Sequence, residues 1–170
     1  MKLYVFSAKL FTNIRIGFEK RMWAVSDKVD DQAFMLQRFT KSRDMLIGSF
    51  GLLYCSESGN QCFTMPFTIL SQPEEPTSTI SDVWPQVWGL PFKINPLGPP
   101  ERTIQLHAAT NLWPIFRNVE TPDHERVNAP ARMKGMNGRL QFLPNKISEK
   151  DWFLITRDLG YRDNITSNLA

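Results

Sequence analysis

Asp82-Val83-Trp84-Pro85-Gln86-Val87-Trp88-Gly89-Leu90-Pro91-Phe92-Lys93-Ile94 is the stretch on which the reading of this chain turns. Its two tryptophans have the spacing of one helical face, but Pro85, Gly89 and Pro91 argue against a helix, because proline lacks an amide donor and clashes with the preceding turn. Trp84 and Trp88 are therefore expected on a loop that enters a strand at Phe92-Lys93-Ile94. Large rings on a loop are harder to explain as core filling than rings on a periodic face, since loops run over the surface and carry function. The expectation is that Trp84 and Trp88 close over a flat ligand, with Trp23 as a third wall. A lone tryptophan is more often a core residue. Trp113, between Leu112 and Ile115, and Trp152, on an apolar helix face, belong to that class.

Outward from this stretch, Leu3 to Ser7 alternates and is rich in β-formers, which predicts a first strand. Asn13 to Arg21 has helical spacing in Ile14, Phe18 and Met22, with Thr12 as N-cap, and ends just before the extended Trp23-Ala24-Val25. Asp30 to Phe39 is the clearest helix, with Ala33, Phe34, Leu36 and Phe39 expected inward and Asp30, Asp31, Gln37 and Arg38 in water. Met45 to Cys55 and Cys62 to Leu70 are predicted to pair as a long hairpin around Ser58-Gly59-Asn60. Gln72 to Ser81, polar and twice broken by proline, reads as a mobile loop delivering Trp84. Thr103 to Leu106 is expected to be extended. Ser148, followed by Glu149 and Asp151, fits the N-cap of a short terminal helix through Trp152. The sum is an α+β fold, a curved mixed β-sheet or open barrel flanked by helices. One domain over 1–160 is expected, with 161–170 as a polar tail or the start of a linker.

The 170 residues are 42% hydrophobic and 22% charged, an ordinary globular balance, with a net charge of +3. The charge is unevenly spread: Met1 to Arg43 holds nine Lys or Arg against four acids, and Arg126 to Lys146 holds five cations and no acid. If these runs meet they form a face suited to a phosphate backbone; separately, each is an ordinary solvated surface. Cys55 and Cys62, the only cysteines, flank the hairpin turn, and His107 and His124 lie far from them, so a metal site is not expected and free thiols are. No apolar run matches a signal peptide or a membrane span, which points to a cytoplasmic protein without membrane contact. There is no phosphate-binding glycine loop, nucleophile elbow or histidine at motif spacing from a nucleophile, so neither catalytic residues nor a cofactor are assigned.

Arg21-Met22-Trp23-Ala24, the helix from Asp30, the Ser56 to Gln61 hairpin and Val83 to Phe92 resemble, in the same order, successive blocks of the YTH domain. The resemblance covers about residues 3 to 106 and is specific in its tryptophan pattern. It implies the PUA and EVE type of fold and a non-catalytic reader of N6-methyladenine, with Trp23, Trp84 and Trp88 as the cage around the modified base. It assigns the base edge to Asn13, ten residues before Trp23, with Ala24, Ser7 and Lys9, and the nucleic-acid backbone to Lys20, Arg21, Arg117, Arg132 and Lys134. Ala24 stands where relatives carry a polar residue, although a backbone contact survives that change. The family's Arg-Asp-Gly-Gln-like run, which holds RNA, has only Arg117-Asn118-Val119-Glu120 as a weak counterpart. That departure favours methylated DNA over RNA. The implied setting is the amino-terminal module of a McrB-type, modification-dependent restriction protein, partnered by a motor domain and a nuclease. The alternatives are an N6-methyladenosine RNA reader, a nucleobase-acting enzyme, and a peptide-binding module using the same aromatic pocket.

Overall fold

The computed structural model describes residues 1–25, 31–75, 79–80, 82–116, 133–136 and 141–162. Its centre is a mixed sheet curled into a half-barrel, of the α+β class the sequence predicts. Strands β1 (Lys2–Ala8), β2 (Met22–Val25), β3 (Phe50–Glu57), β4 (Asn60–Ile69), β6 (Trp88–Pro96) and β8 (Asn145–Lys146) lie in the order β2-β6-β4-β3-β1-β8. The short β5 (Thr79–Ile80) pairs with β6, and β7 (Thr103–Gln105) pairs with β4. Among the described strands only β1 and β3 are parallel; their crossover carries α1 (Phe11–Lys20), β2 and α2 (Gln32–Ser42). Later come α3 (Leu106–Leu112), a 3-10 turn (Pro114–Phe116) and α4 (Glu149–Leu159).

Strand alternation divides the interior in two. Tyr4, Phe6 and Ala8 of β1 face a cluster that includes Ile14 of α1, Met35 of α2, Trp23, Trp84, Trp88, Phe92 and Phe142. Leu3 and Val5 face the other cluster, where Phe63 of β4 packs against Trp113, Phe116 and, from α4, Ile155 and Leu159. Helices thus cover both faces, α1 and α2 on one, α3 and α4 on the other.

Several expectations are borne out in position, and the exceptions have local causes. The hairpin turns at Ser58-Gly59, both with positive φ (51° and 77°), the pair of left-handed residues that matches strand twist. Cys55 and Cys62 face each other across it as buried, free thiols. Ser148 and Asp151 form a reciprocal capping box on α4. By contrast, α1 starts at Phe11, so Thr12 lies inside it and caps nothing; the Glu57 carboxylate accepts from the Phe11 amide at 2.8 Å instead. On α2 the cap is Asp31, whose side chain accepts from Phe34, and Asp30 lies outside the described residues. The buried stripe of α2 is Met35, Arg38 and Ser42, so Leu36 is 58% exposed and Arg38 only 4%. The sequence-based face is wrong here because Arg38 is buried together with its guanidinium, which lies over the Phe34 ring at 4.3 Å. Residues 45–49 form turns before β3, with Leu46 and Ile47 exposed. The segment from Gln72 contains β5, and Leu106 opens α3 rather than closing β7.

Candidate nucleic-acid interface

The candidate site is assembled by α1, β2 and the beginning of β6. Helix α1 buries Asn13, Ile14 and Gly17 on one side. Arg21 then caps it in the left-handed conformation (φ 52°), which turns the chain directly into β2 and sets Trp23 beneath the helix. Gly17 permits that approach: a Cβ there would stand 2.9 Å from a Trp23 ring carbon. On the partner strand, register shifts between Trp23 opposite Phe92 and Val25 opposite Gly89, so β6 carries one extra residue. Leu90 absorbs it at φ 54°, an uncommon conformation for a bulky side chain, and Pro91, which has no amide to pair, follows. This bulge aims Trp88 at Trp23.

Trp88 therefore opens a strand, and the loop position expected for it is corrected: β6 begins six residues before Ile94, and only Asp82 to Val87 precede it as a strap. Trp84 and Trp88 are also buried, at 2% and 3% exposure, where exposed rings were anticipated. Their planes lie within 6° of parallel with centroids 4.5 Å apart, a direct stack. Trp23 meets both edge-on, at 6.0 Å from Trp84 and 5.2 Å from Trp88. A base between two rings needs their planes about 7 Å apart, twice the contact distance of carbon atoms. The three rings thus form a closed cluster with no space for a base between Trp84 and Trp88. Pro85, Gln86 and Val87, between the two stacked rings in sequence, are all exposed.

The cluster is unusual in its polar atoms. Trp84 donates its indole N–H to the backbone oxygen of Asn13 at 3.0 Å. The Trp23 and Trp88 indole N–H groups and the Asn13 side-chain oxygen are buried without a partner. Each buried unpaired group costs about 1–3 kcal/mol, and two donors and one acceptor around one aromatic cluster are an arrangement that packing alone does not favour.

The other anticipated residues are placed as follows. Ala24 is buried next to Trp23. Ser7 alternates with Phe6 and so shares the face of Leu3 and Val5, opposite the tryptophans; it accepts from the Gln141 amide at 3.2 Å. Lys9 is exposed just past the end of β1, and Lys20 and Arg21 are exposed at the end of α1, where Arg21 donates to the Asn95 side chain at 3.4 Å. Lys134 is exposed and its amide donates to Asn145. Arg117 and Arg132 lie outside the described residues, as do His124 and most of the Arg126 to Lys146 run. His107 is exposed on α3. Gln141 and Phe142 were not anticipated. Gln141 is 7% exposed with its side-chain oxygen unpaired, and Phe142 packs on Phe6 and Phe92. Their only signal was an apolar-polar pair in a segment too rich in Asn, Gly and Pro to assign. Among the described residues no three His, Cys, Asp or Glu side chains could hold a metal ion, and no helix is long and apolar enough to cross a membrane.

No family model matches the sequence, and no curated protein is similar to it at a significant level. Among solved structures, the chain is similar to the Pho92 YTH domain in complex with m6A, at 13% identity and a TM-score of 0.46, over 66% of this chain and 64% of that one. It is similar to the YTH domain of Zygosaccharomyces rouxii MRB1 in complex with N6-methyladenosine RNA, at 14% identity and a TM-score of 0.46, over 66% and 68% of the two chains. A hypothetical protein from Leishmania major aligns over 92% of this chain and 93% of its own, at 10% identity and a TM-score of 0.47.

Proposed function

We propose that the chain is a non-catalytic reader of N6-methyladenine, with the base flipped out of its strand and held by Trp23, Trp84 and Trp88. The observation that carries this reading is the set of unpaired polar atoms in the cluster. N6-methyladenine offers one remaining amine hydrogen and several ring-nitrogen acceptors, the complement of one carbonyl oxygen on Asn13 and two indole N–H donors on Trp23 and Trp88. The methyl group supplies selectivity: burying it contributes about 0.8 kcal/mol. An unmethylated amine in the same position leaves a desolvated donor, at a further cost of about 1–3 kcal/mol. Together these correspond to a preference of roughly 20-fold to several hundred-fold. Opening the stacked tryptophans lowers affinity for every base alike and does not alter that preference.

The flipped base requires single-stranded substrate or a few kcal/mol of unstacking. The proposed substrate is methylated DNA, read for a modification-dependent restriction system in which a motor and a nuclease do the chemistry; the weak counterpart of the family's RNA-holding run supports DNA over RNA. Fluorescence polarisation with one sequence as DNA duplex, DNA single strand and RNA, with adenine or N6-methyladenine, tests both parts. A preference for methylated DNA is expected, reduced in Asn13→Ala and in Trp88→Phe. Equal binding of methylated and unmodified strands would overturn the methyladenine reading, and tighter binding of methylated RNA would move the proposal to an RNA reader. Because Trp23 is fully buried, Trp88→Phe is the safer cage variant alongside Trp23→Ala.

A further inference from the structure

The same sheet face that carries the tryptophans ends, at the start of β1, in a cavity of about 480 Å³ lined by Lys2, Tyr4, Lys41, Arg43, Asp44 and a wall from Phe142 to Pro144. This is within the size range of small-ligand sites. Three cations meet one carboxylate there, and among the described residues none of Lys2, Lys41 and Arg43 forms an ion pair. Lys41 and Arg43 sit at the carboxyl end of α2, where a helix dipole favours cations, but its end is equivalent to only about half a charge. A second observation is independent of the cavity. Lys146 of β8 lies directly opposite Lys2 of β1 in antiparallel register, so both side chains project from the same face. Like charges placed opposite one another cost stability. This also brings together one residue from each of the two basic runs in the sequence.

We propose that this cavity is a phosphate-binding subsite for the strand whose modified base enters the tryptophan cluster, an inference that rests on the reading above. Lys2 and Phe6 point to the same face, and four residues of strand, about 13 Å, separate the cavity's Lys2 from Phe6 of the cluster that contains the tryptophans. Phe142 connects the two places, lining the cavity and packing at 5.6 Å on Phe6 and 6.4 Å on Phe92, the residue paired with Trp23. The cations hold a phosphodiester at the rim, and the apolar wall of Phe142, Leu143 and Pro144 takes the flat side of a neighbouring sugar or base.

The experiment compares wild type with Lys2→Gln/Lys41→Gln/Arg43→Gln, using free N6-methyladenosine by tryptophan fluorescence and a methylated nine-nucleotide strand, DNA and RNA, by polarisation over a range of salt. These side chains are exposed or half-exposed, so the fold is retained. The expected result is unchanged nucleoside binding with oligonucleotide affinity about ten-fold to a hundred-fold weaker and a salt slope shallower by about 0.7, the value for one phosphate contact on a single strand. An unchanged slope and oligonucleotide affinity would overturn the subsite while leaving the base reading intact. Absence of nucleoside binding in wild type, with a shallower slope in the variant, would instead sink the base reading and keep the phosphate site. Tighter binding of an acidic peptide than of either strand, lost in the variant, would assign the cavity to a protein partner and overturn the proposal.

Discussion

Trp113 and Trp23 are both fully buried indoles, on opposite faces of one sheet, and their N–H groups meet opposite fates. Trp113 donates to the Asp158 carboxylate of α4 at 2.9 Å and is surrounded by Phe63 and Phe116. Trp23 and Trp88 leave theirs unpaired, beside an unpaired oxygen of Asn13, in a cluster closed over by an exposed strap. Around Trp113 the core is finished, with the indole N–H satisfied. The other face holds as much aromatic surface but retains the hydrogen-bonding capacity that a polar, flat ligand would use. Burial alone does not distinguish the two; polar satisfaction does.

The largest expected effect is on the finished face. Trp113→Ala should cost about 3–5 kcal/mol in urea denaturation, yet leave the affinity for N6-methyladenosine unchanged at temperatures where the variant is folded. A selective loss of methyl preference in that variant would break the contrast between the faces.

Replacing indole by phenyl sharpens the same contrast. Trp113→Phe removes a hydrogen bond to a charged group and should destabilise by about 1.5–3 kcal/mol. Trp88→Phe removes a buried donor that has no partner, so from polar terms alone stability should rise by about 1–3 kcal/mol, while N6-methyladenosine affinity should fall about ten-fold, equal to roughly 1.4 kcal/mol. Equal stability losses at both positions would mean that the Trp88 N–H is satisfied in solution.

Gly17→Ala probes how closely α1 rests on the cage. The added methyl meets the Trp23 ring, and overpacking of this kind costs about 1–3 kcal/mol. Calorimetry should show the lower stability and fluorescence a displaced Trp23; an unaltered emission spectrum would show that the helix yields instead.

The narrowest effect, confined to alkaline pH, lies in the hairpin between the two faces. Burial, with the Cys55 thiol alongside, pushes Cys62 up from 9.0 to about 11. The unfolded thiol ionises first, so its contribution to stability is complete below pH 9 and is lost as the pH rises toward 11. The wild-type Tm should therefore decline more steeply over that window than that of Cys62→Ala, and parallel profiles would contradict the shift.

Much of the fold was legible because it rests on local signals: alternation in β1, the Ser58-Gly59 turn, and the Ser148 and Asp151 box. The clustering of Trp23, Trp84 and Trp88 was legible, and its closed state was not. The proline and glycine pattern from Trp84 to Pro91 marked a break in regular structure, but the break is a bulge at Leu90-Pro91 within β6, and bulge geometry depends on pairing with β2. The α2 face was misread for a similar reason. Hydropathy places Leu36 inside and Arg38 outside, while contact with the neighbouring elements decided the reverse.

By itself the sequence determined most of the elements and the facing of the two cysteines across the hairpin, because periodicity, turn chemistry and spacing act over a few residues. Only the tertiary structure decided that Trp84 and Trp88 stack on each other, that their cluster keeps unpaired polar atoms, and that Lys2, Lys41 and Arg43 line one cavity. Those features depend on contacts between segments tens of residues apart, and no local pattern encodes the distance between two rings or the partner of a buried N–H.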